Sequence, residues 1–96
     1  MRGGWVYLMA NRYRGTIYTG VTGDLNRRAW QHRHGKGSEF ASHYGATRLV
    51  HVEHFERIDE AIAREKAIKK WLRAWKIELI ERDNPDWNDL FEYLPD

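Results

Sequence analysis

The chain has 96 residues, 42% of them hydrophobic, and no cysteine. That length sets the expectation of a single domain spanning residues 1–96, and the missing thiol excludes a disulfide framework, a thiolate nucleophile and iron–sulfur or cysteine-built zinc sites. The formal net charge of +2 hides an asymmetry: residues 1–50 carry eight basic and two acidic side chains, residues 51–96 eight and twelve, so the two halves are expected to face different partners.

Trp5 to Ala10 is a short apolar and aromatic run, Asn11 to Gly15 has turn chemistry, and Thr16 to Thr22 is a second β-type run; two such runs joined by a short polar segment predict a β-hairpin. Gly20 inside the second run predicts a bulge or a close backbone approach. Asp24 is the expected N-cap of a helix running from Leu25 to His34 and ended by Gly35. Residues 35–47 read as a loop, and Leu49 to Phe55 as a third strand. Ile58, Ala61, Ile62, Glu65, Ile68, Leu72, Trp75 and Leu79 then recur at three- and four-residue steps, which predicts one continuous face of a helix or of two consecutive helices, with Asp59 as cap. Pro85 breaks the pattern. The core is thus expected over about 4–82, with an acidic tail, 83–96, packed back on it. The order ββαβα, with the last helix open to division, specifies an α+β fold in which a small three-stranded antiparallel sheet is flanked by helices. No apolar stretch approaches the roughly 18 residues that span a bilayer, so the chain reads as soluble and cytoplasmic.

Four groups of residues could carry chemistry. Glu65 lies on the apolar stripe, where a carboxylate needs a partner: either Lys69 or an arginine in an ion pair, or a metal ion or reacting group. Arg28 and His32 share one helix face and make either an anion site or part of a solvated basic helix with Arg27, Arg33 and His34. Tyr7 and Tyr18 sit centrally in adjacent strands; the alternatives are ring burial or a phenol acting as base once cations lower its proton affinity. Arg64, Lys66, Lys69, Lys70, Arg73 and Lys76 put six cations into thirteen residues, with Trp71 and Trp75 among them, which fits a solvated face or a footprint for a phosphodiester backbone. The five histidines form no recognisable metal motif.

The segments G-W-V-Y at 4–7, Y-T-G at 18–20, D-L-N-R-R-A-W-Q-H at 24–32 and A-I-A-R-E-K-A-I-K-K-W at 61–71 resemble the GIY-YIG nuclease superfamily, and most of all its small single-domain bacterial members. The resemblance runs from Gly4 through Trp87. It matches Tyr7 and Tyr18 to the tyrosines of the two motifs, Gly20 to the glycine of the second, Arg28 to the helix arginine, Glu65 to the metal-binding glutamate and Asn84 to a late asparagine. His32 holds a position that is His or Tyr in active members. The first motif reads W-V-Y where the family has G-I-Y, and Val21 stands where some DNA-repair members carry lysine.

What the resemblance implies is hydrolysis of DNA phosphodiesters by an endonuclease, structure-selective and working in DNA repair or recombination, with a single Mg²⁺ or Mn²⁺ held by Glu65. Arg28 would neutralise charge on the phosphoryl oxygens, and Tyr7, Tyr18 or His32 would take the proton from water. Arg27, Arg33, Lys66, Lys69, Lys70 and Arg73 are the candidate nucleic-acid contacts. Because such nucleases usually depend on an attached DNA-binding domain, a protein partner or a homo-oligomer is expected to supply DNA specificity. The rival expectation is a non-catalytic nucleic-acid-binding or partner-binding module that retains the scaffold.

Overall fold

In the computed structural model, residues 3–34 and 44–94 are described. The hairpin is present as β1 (Gly4–Ala10) and β2 (Ile17–Thr22), followed by α1 (Leu25–Arg33), β3 (Arg48–Phe55), α2 (Ile58–Lys69), α3 (Arg73–Asp83) and a 3₁₀ turn at Leu90–Tyr93. The three strands form one antiparallel sheet in the order β2-β1-β3, so β1 is central and β2 an edge. The expected loop after α1 falls largely outside the described residues, as does Gly35.

The strand alternation sorts side chains to the two faces of the sheet. Val6, Leu8, Ala10 and Val50 point to the α2/α3 side and pack with Ala61, Ile68, Leu79, Ile80 and Trp87. Tyr7, Met9 and Leu49 point to the other side, against Leu25 and Ala29 of α1, with Leu90, Phe91 and Leu94 of the tail laid over them. α1 begins where Asp24 accepts a hydrogen bond from the Arg27 amide at 3.2 Å, the N-cap the sequence indicates.

Three expectations need correction. The face from Ile58 to Leu79 is not continuous: α2 stops at Lys69, Leu72 takes an extended conformation as N-cap of α3, and the restart turns Leu72 and Trp75 to solvent while Leu79 and Ile80 turn inward. Asp59 is not the cap of α2. Arg57 holds that position, because Ile58 must already be helical to pack on Gly4, where a Cβ would lie 2.4 Å from the Ile58 Cδ1. Asp59 instead pairs with Arg57 at 3.0 Å and accepts from the Glu60 amide at 2.9 Å. Finally, the core does not end at residue 82. Trp87 is fully buried at 0% exposure, and Asn84 ties the tail down by donating to the Val50 carbonyl at 3.0 Å and the Asn88 carbonyl at 2.9 Å.

Candidate active site

β1 and β2 are in a register that sets Tyr7 opposite Gly20 and Tyr18 opposite Met9. The two tyrosines are therefore diagonal neighbours on one face of the hairpin, within reach of each other, and their ring centroids are 6.3 Å apart. Gly20 is what allows this: a Cβ there would sit 2.4 Å from both Cζ and the hydroxyl of Tyr7. The close approach foreseen for Gly20 is thus made by an aromatic ring lying on bare backbone.

From the opposite side, α1 delivers His32. The Tyr7 hydroxyl and His32 Nε2 are 3.0 Å apart, and both residues are 2% exposed. The His32 ring also packs against Tyr18, with centroids 5.2 Å apart. Arg28, one turn earlier on the same face, is half-buried and donates from Nη1 to Gln31 Oε1 at 3.2 Å. Gln31 escaped the sequence reading; its signal was the three-residue spacing from Arg28 on one helix.

The electrostatics separate these groups. Burial pushes the Tyr7 phenol well above its ordinary value; the charges of Tyr18 and Glu65 and a hydrogen bond to Tyr18 add to this, and Arg28 opposes it. Burial also holds His32 down, to about 4, and the Arg28 guanidinium works in the same direction. At neutral pH the cluster therefore pairs a protonated phenol with a neutral imidazole.

Glu65 lies on α2 at 9% exposure, with Lys69 Nζ 3.0 Å from its carboxylate. The ion pair weighed from sequence is formed, and the same carboxylate is felt electrostatically by Tyr7. Among the described residues, no group of three or more His, Cys, Asp or Glu could hold a metal. Glu65 is thus a lone carboxylate, already matched to a cation by Lys69. That donor set fits a hard divalent ion that keeps several waters and takes further oxygens from a phosphate.

Asn84 stands apart from this cluster in its contacts. Its amide is used by Val50 and Asn88, and its Oδ1 accepts from the Asn88 amide at 3.0 Å. The basic stripe is also less uniform than its spacing suggests. Arg33 pairs with Asp89 and lies over the Phe91 ring. Arg73 donates to the Arg14 and Gly15 carbonyls, Arg64 clamps Glu53 at 2.8 Å, and Arg27, Lys66 and Lys70 are exposed.

A family model described as the GIY-YIG catalytic domain matches residues 3–78. The chain belongs to the GIY-YIG family. Tyr7, Gly20, Arg28 and Glu65 all lie inside the matched stretch, Asn84 beyond it. Among curated relatives, a UPF0213 protein of Clostridium perfringens (strain 13 / Type A) is 40% identical over 65 residues, covering 68% of this chain and 70% of that one. UPF0213 proteins of Staphylococcus aureus strains are 36% identical over 67 residues, covering 70% of this chain and 82% of theirs. The solution NMR structure of a UPF0213 protein from Bacillus halodurans covers 91% of this chain and 92% of its own, with a TM-score of 0.56 at 30% identity. This GIY-YIG domain is thus of a nuclease family, one that generally uses a divalent metal on nucleic acid. Among the described residues no helix is long and apolar enough to cross a membrane.

Proposed function

We propose that the protein is a divalent-metal-dependent DNA endonuclease, structure-selective and serving DNA repair or recombination. The observation that carries this reading is the buried contact between the Tyr7 hydroxyl and His32 Nε2 at 3.0 Å, with Tyr18, Arg28 and Glu65 gathered around it. A phenol that keeps its proton beside the free ring nitrogen of a neutral imidazole is a proton relay. Water attacks phosphorus and gives its proton to the Tyr7 oxygen while Tyr7 passes its own to His32 Nε2. The bond from phosphorus to the 3′ oxygen breaks, and that oxygen is protonated by solvent.

Arg28 sets permanent charge beside the phosphoryl oxygens, and its hydrogen bond to Gln31 fixes the guanidinium's direction. Tyr18 orients the Tyr7 hydroxyl. Glu65 would hold Mg²⁺ or Mn²⁺, which would supply charge neutralisation at the phosphate and the leaving oxygen. Lys69, which pairs with Glu65 at 3.0 Å, would then give up its place to the ion.

The test is direct. Labelled linear, single-stranded and branched DNA are incubated with wild type and Glu65→Ala, with Mg²⁺, with Mn²⁺ and with chelator. The reading predicts metal-dependent cutting by wild type and none by a folded Glu65→Ala. Equal cutting by the two sinks the mechanism, and salt-sensitive binding with no products in any cation identifies a non-catalytic nucleic-acid-binding module instead.

A further inference from the structure

A cavity of about 300 Å³ opens beside Tyr18 and is lined by Ile17, Tyr18 and Thr19 of β2, Lys69 of α2 and Lys76 of α3. Two of its five lining residues are cationic, and none is acidic. Lys76 forms no ion pair with any described residue. Thr19 supplies the second observation. It is 4% exposed, and its Oγ1 has no hydrogen-bond partner among the described residues. A buried hydroxyl without a partner is costly and is rare enough in native proteins to need an account.

The cavity's position adds a direction. β2 is an edge strand. At its far end a larger cavity, about 440 Å³, is lined by Thr22, Gly23, Asp24, Arg27, Arg28 and Gln31. From Ile17 to Thr22 an extended strand covers about 17 Å, longer than one phosphodiester unit. Tyr18 belongs to both the nearer cavity and the catalytic cluster, and Lys69 links that cavity to Glu65.

We propose that the Thr19, Lys69 and Lys76 cavity is a subsite for the phosphate next to the one that is cut, on a nucleic-acid strand crossing the open edge of β2. Lys76 supplies the standing charge, Lys69 turns to the phosphate when Glu65 takes another cation, and the Thr19 hydroxyl gains the hydrogen bond it lacks. Ile17 and the lysine stems give the sugar an apolar bed. This rests on the nuclease reading for its place in a reaction, but its binding chemistry stands without it.

The test separates the two. Binding of a fluorescein-labelled single-stranded DNA, and of the same sequence as RNA, is measured by anisotropy in chelator across a salt series, for wild type, Lys76→Met and Thr19→Val. Melting temperatures are taken alongside. Lys76→Met is expected to weaken binding several-fold and to flatten the slope of log affinity on log salt by about 0.7, the loss of one phosphate contact on a single strand. Thr19→Val keeps the shape and removes the unpaired oxygen, so it is expected to melt at the same or higher temperature yet bind about tenfold more weakly.

Wild-type binding by both variants overturns the subsite, as does a Thr19→Val protein that loses stability together with affinity. Failure of wild type to bind either strand at low salt also overturns it. If wild type cuts nothing but both variants lose affinity as described, the nuclease reading falls and the subsite stands.

Discussion

Tyr7 is held from three directions: Gly20 backbone beneath its ring, His32 at its hydroxyl and Tyr18 beside it. The consequence for Gly20 is severe, because a methyl group there meets a ring that is itself buried. Gly20→Ala is expected to destabilise the fold by about 1–3 kcal/mol, the usual cost of overpacking, and to displace the phenol; urea unfolding and the Tyr7 ring resonances report the two effects. His32 sets a pH dependence. Its folded-state value, about 4, lies below the unfolded value of ~6.5. Between these limits the unfolded chain binds a proton that the native site refuses, so stability rises with pH across that window and is lost as pH falls through it, by at most about 3.5 kcal/mol. Urea titrations from pH 4 to 7 are expected to show this slope in wild type and a flatter one in His32→Gln. Cutting should likewise keep its rate down to about pH 5 and fail below.

At the scale of elements, the sheet and α2 are joined by a charged clamp. Glu53 on β3 receives Arg64 at 2.8 Å and His51 at 2.9 Å. Burial raises its proton affinity, but these hydrogen bonds outweigh that and hold the carboxyl at about 2. Its contribution is therefore complete above the ordinary carboxylate range and is lost as pH falls from ~4.3 toward 2, below the His32 window. Arg64→Met leaves Glu53 with His51 alone and is expected to cost about 1–3 kcal/mol in chemical denaturation at neutral pH. Nothing in the spacing of Glu53 and Arg64 announces this clamp, since it depends on how α2 crosses the sheet. The hairpin, the first helix and the third strand were legible, because alternation and the Asp24 cap are local signals. The face continued through Leu72 and Trp75 was not: a break at 70–72 with no Pro or Gly leaves no local mark, and only tertiary packing chooses Ile80 over Trp75 as the inward residue. The site was legible as a set of motif positions. Which side chains touch, and that Gln31 holds Arg28, required the register.

Across the whole molecule, the tail is part of the body. Trp87 adopts φ 57°, a conformation disfavoured for a bulky residue, and is held there by its indole donating to Glu81 at 2.8 Å and by Arg48 donating to its carbonyl at 3.1 Å. Such backbone strain persists only where surroundings over-determine it. Trp87→Ala is expected to cost about 3–5 kcal/mol, as for other buried aromatics, and removal of residues 84–96 to abolish cooperative unfolding; thermal melts followed by circular dichroism check both. The acidic tail is thereby fixed over the face that carries Tyr7, through Arg33 with Asp89 and the packing of Phe91. The modest net charge of the chain is therefore a poor guide to its partner, since cations such as Arg27 of α1 and Lys66 of α2 remain exposed.

The nuclease account turns on one hydroxyl. Cutting of end-labelled DNA in Mn²⁺ under single-turnover conditions, by wild type and by Tyr7→Phe, tests it most directly. The account predicts cutting by wild type and a loss of about 10²–10⁴-fold in Tyr7→Phe, the range for a general acid–base group, with the circular dichroism spectrum unchanged. Equal rates for the two proteins, or no cutting by wild type with any divalent cation, would contradict it.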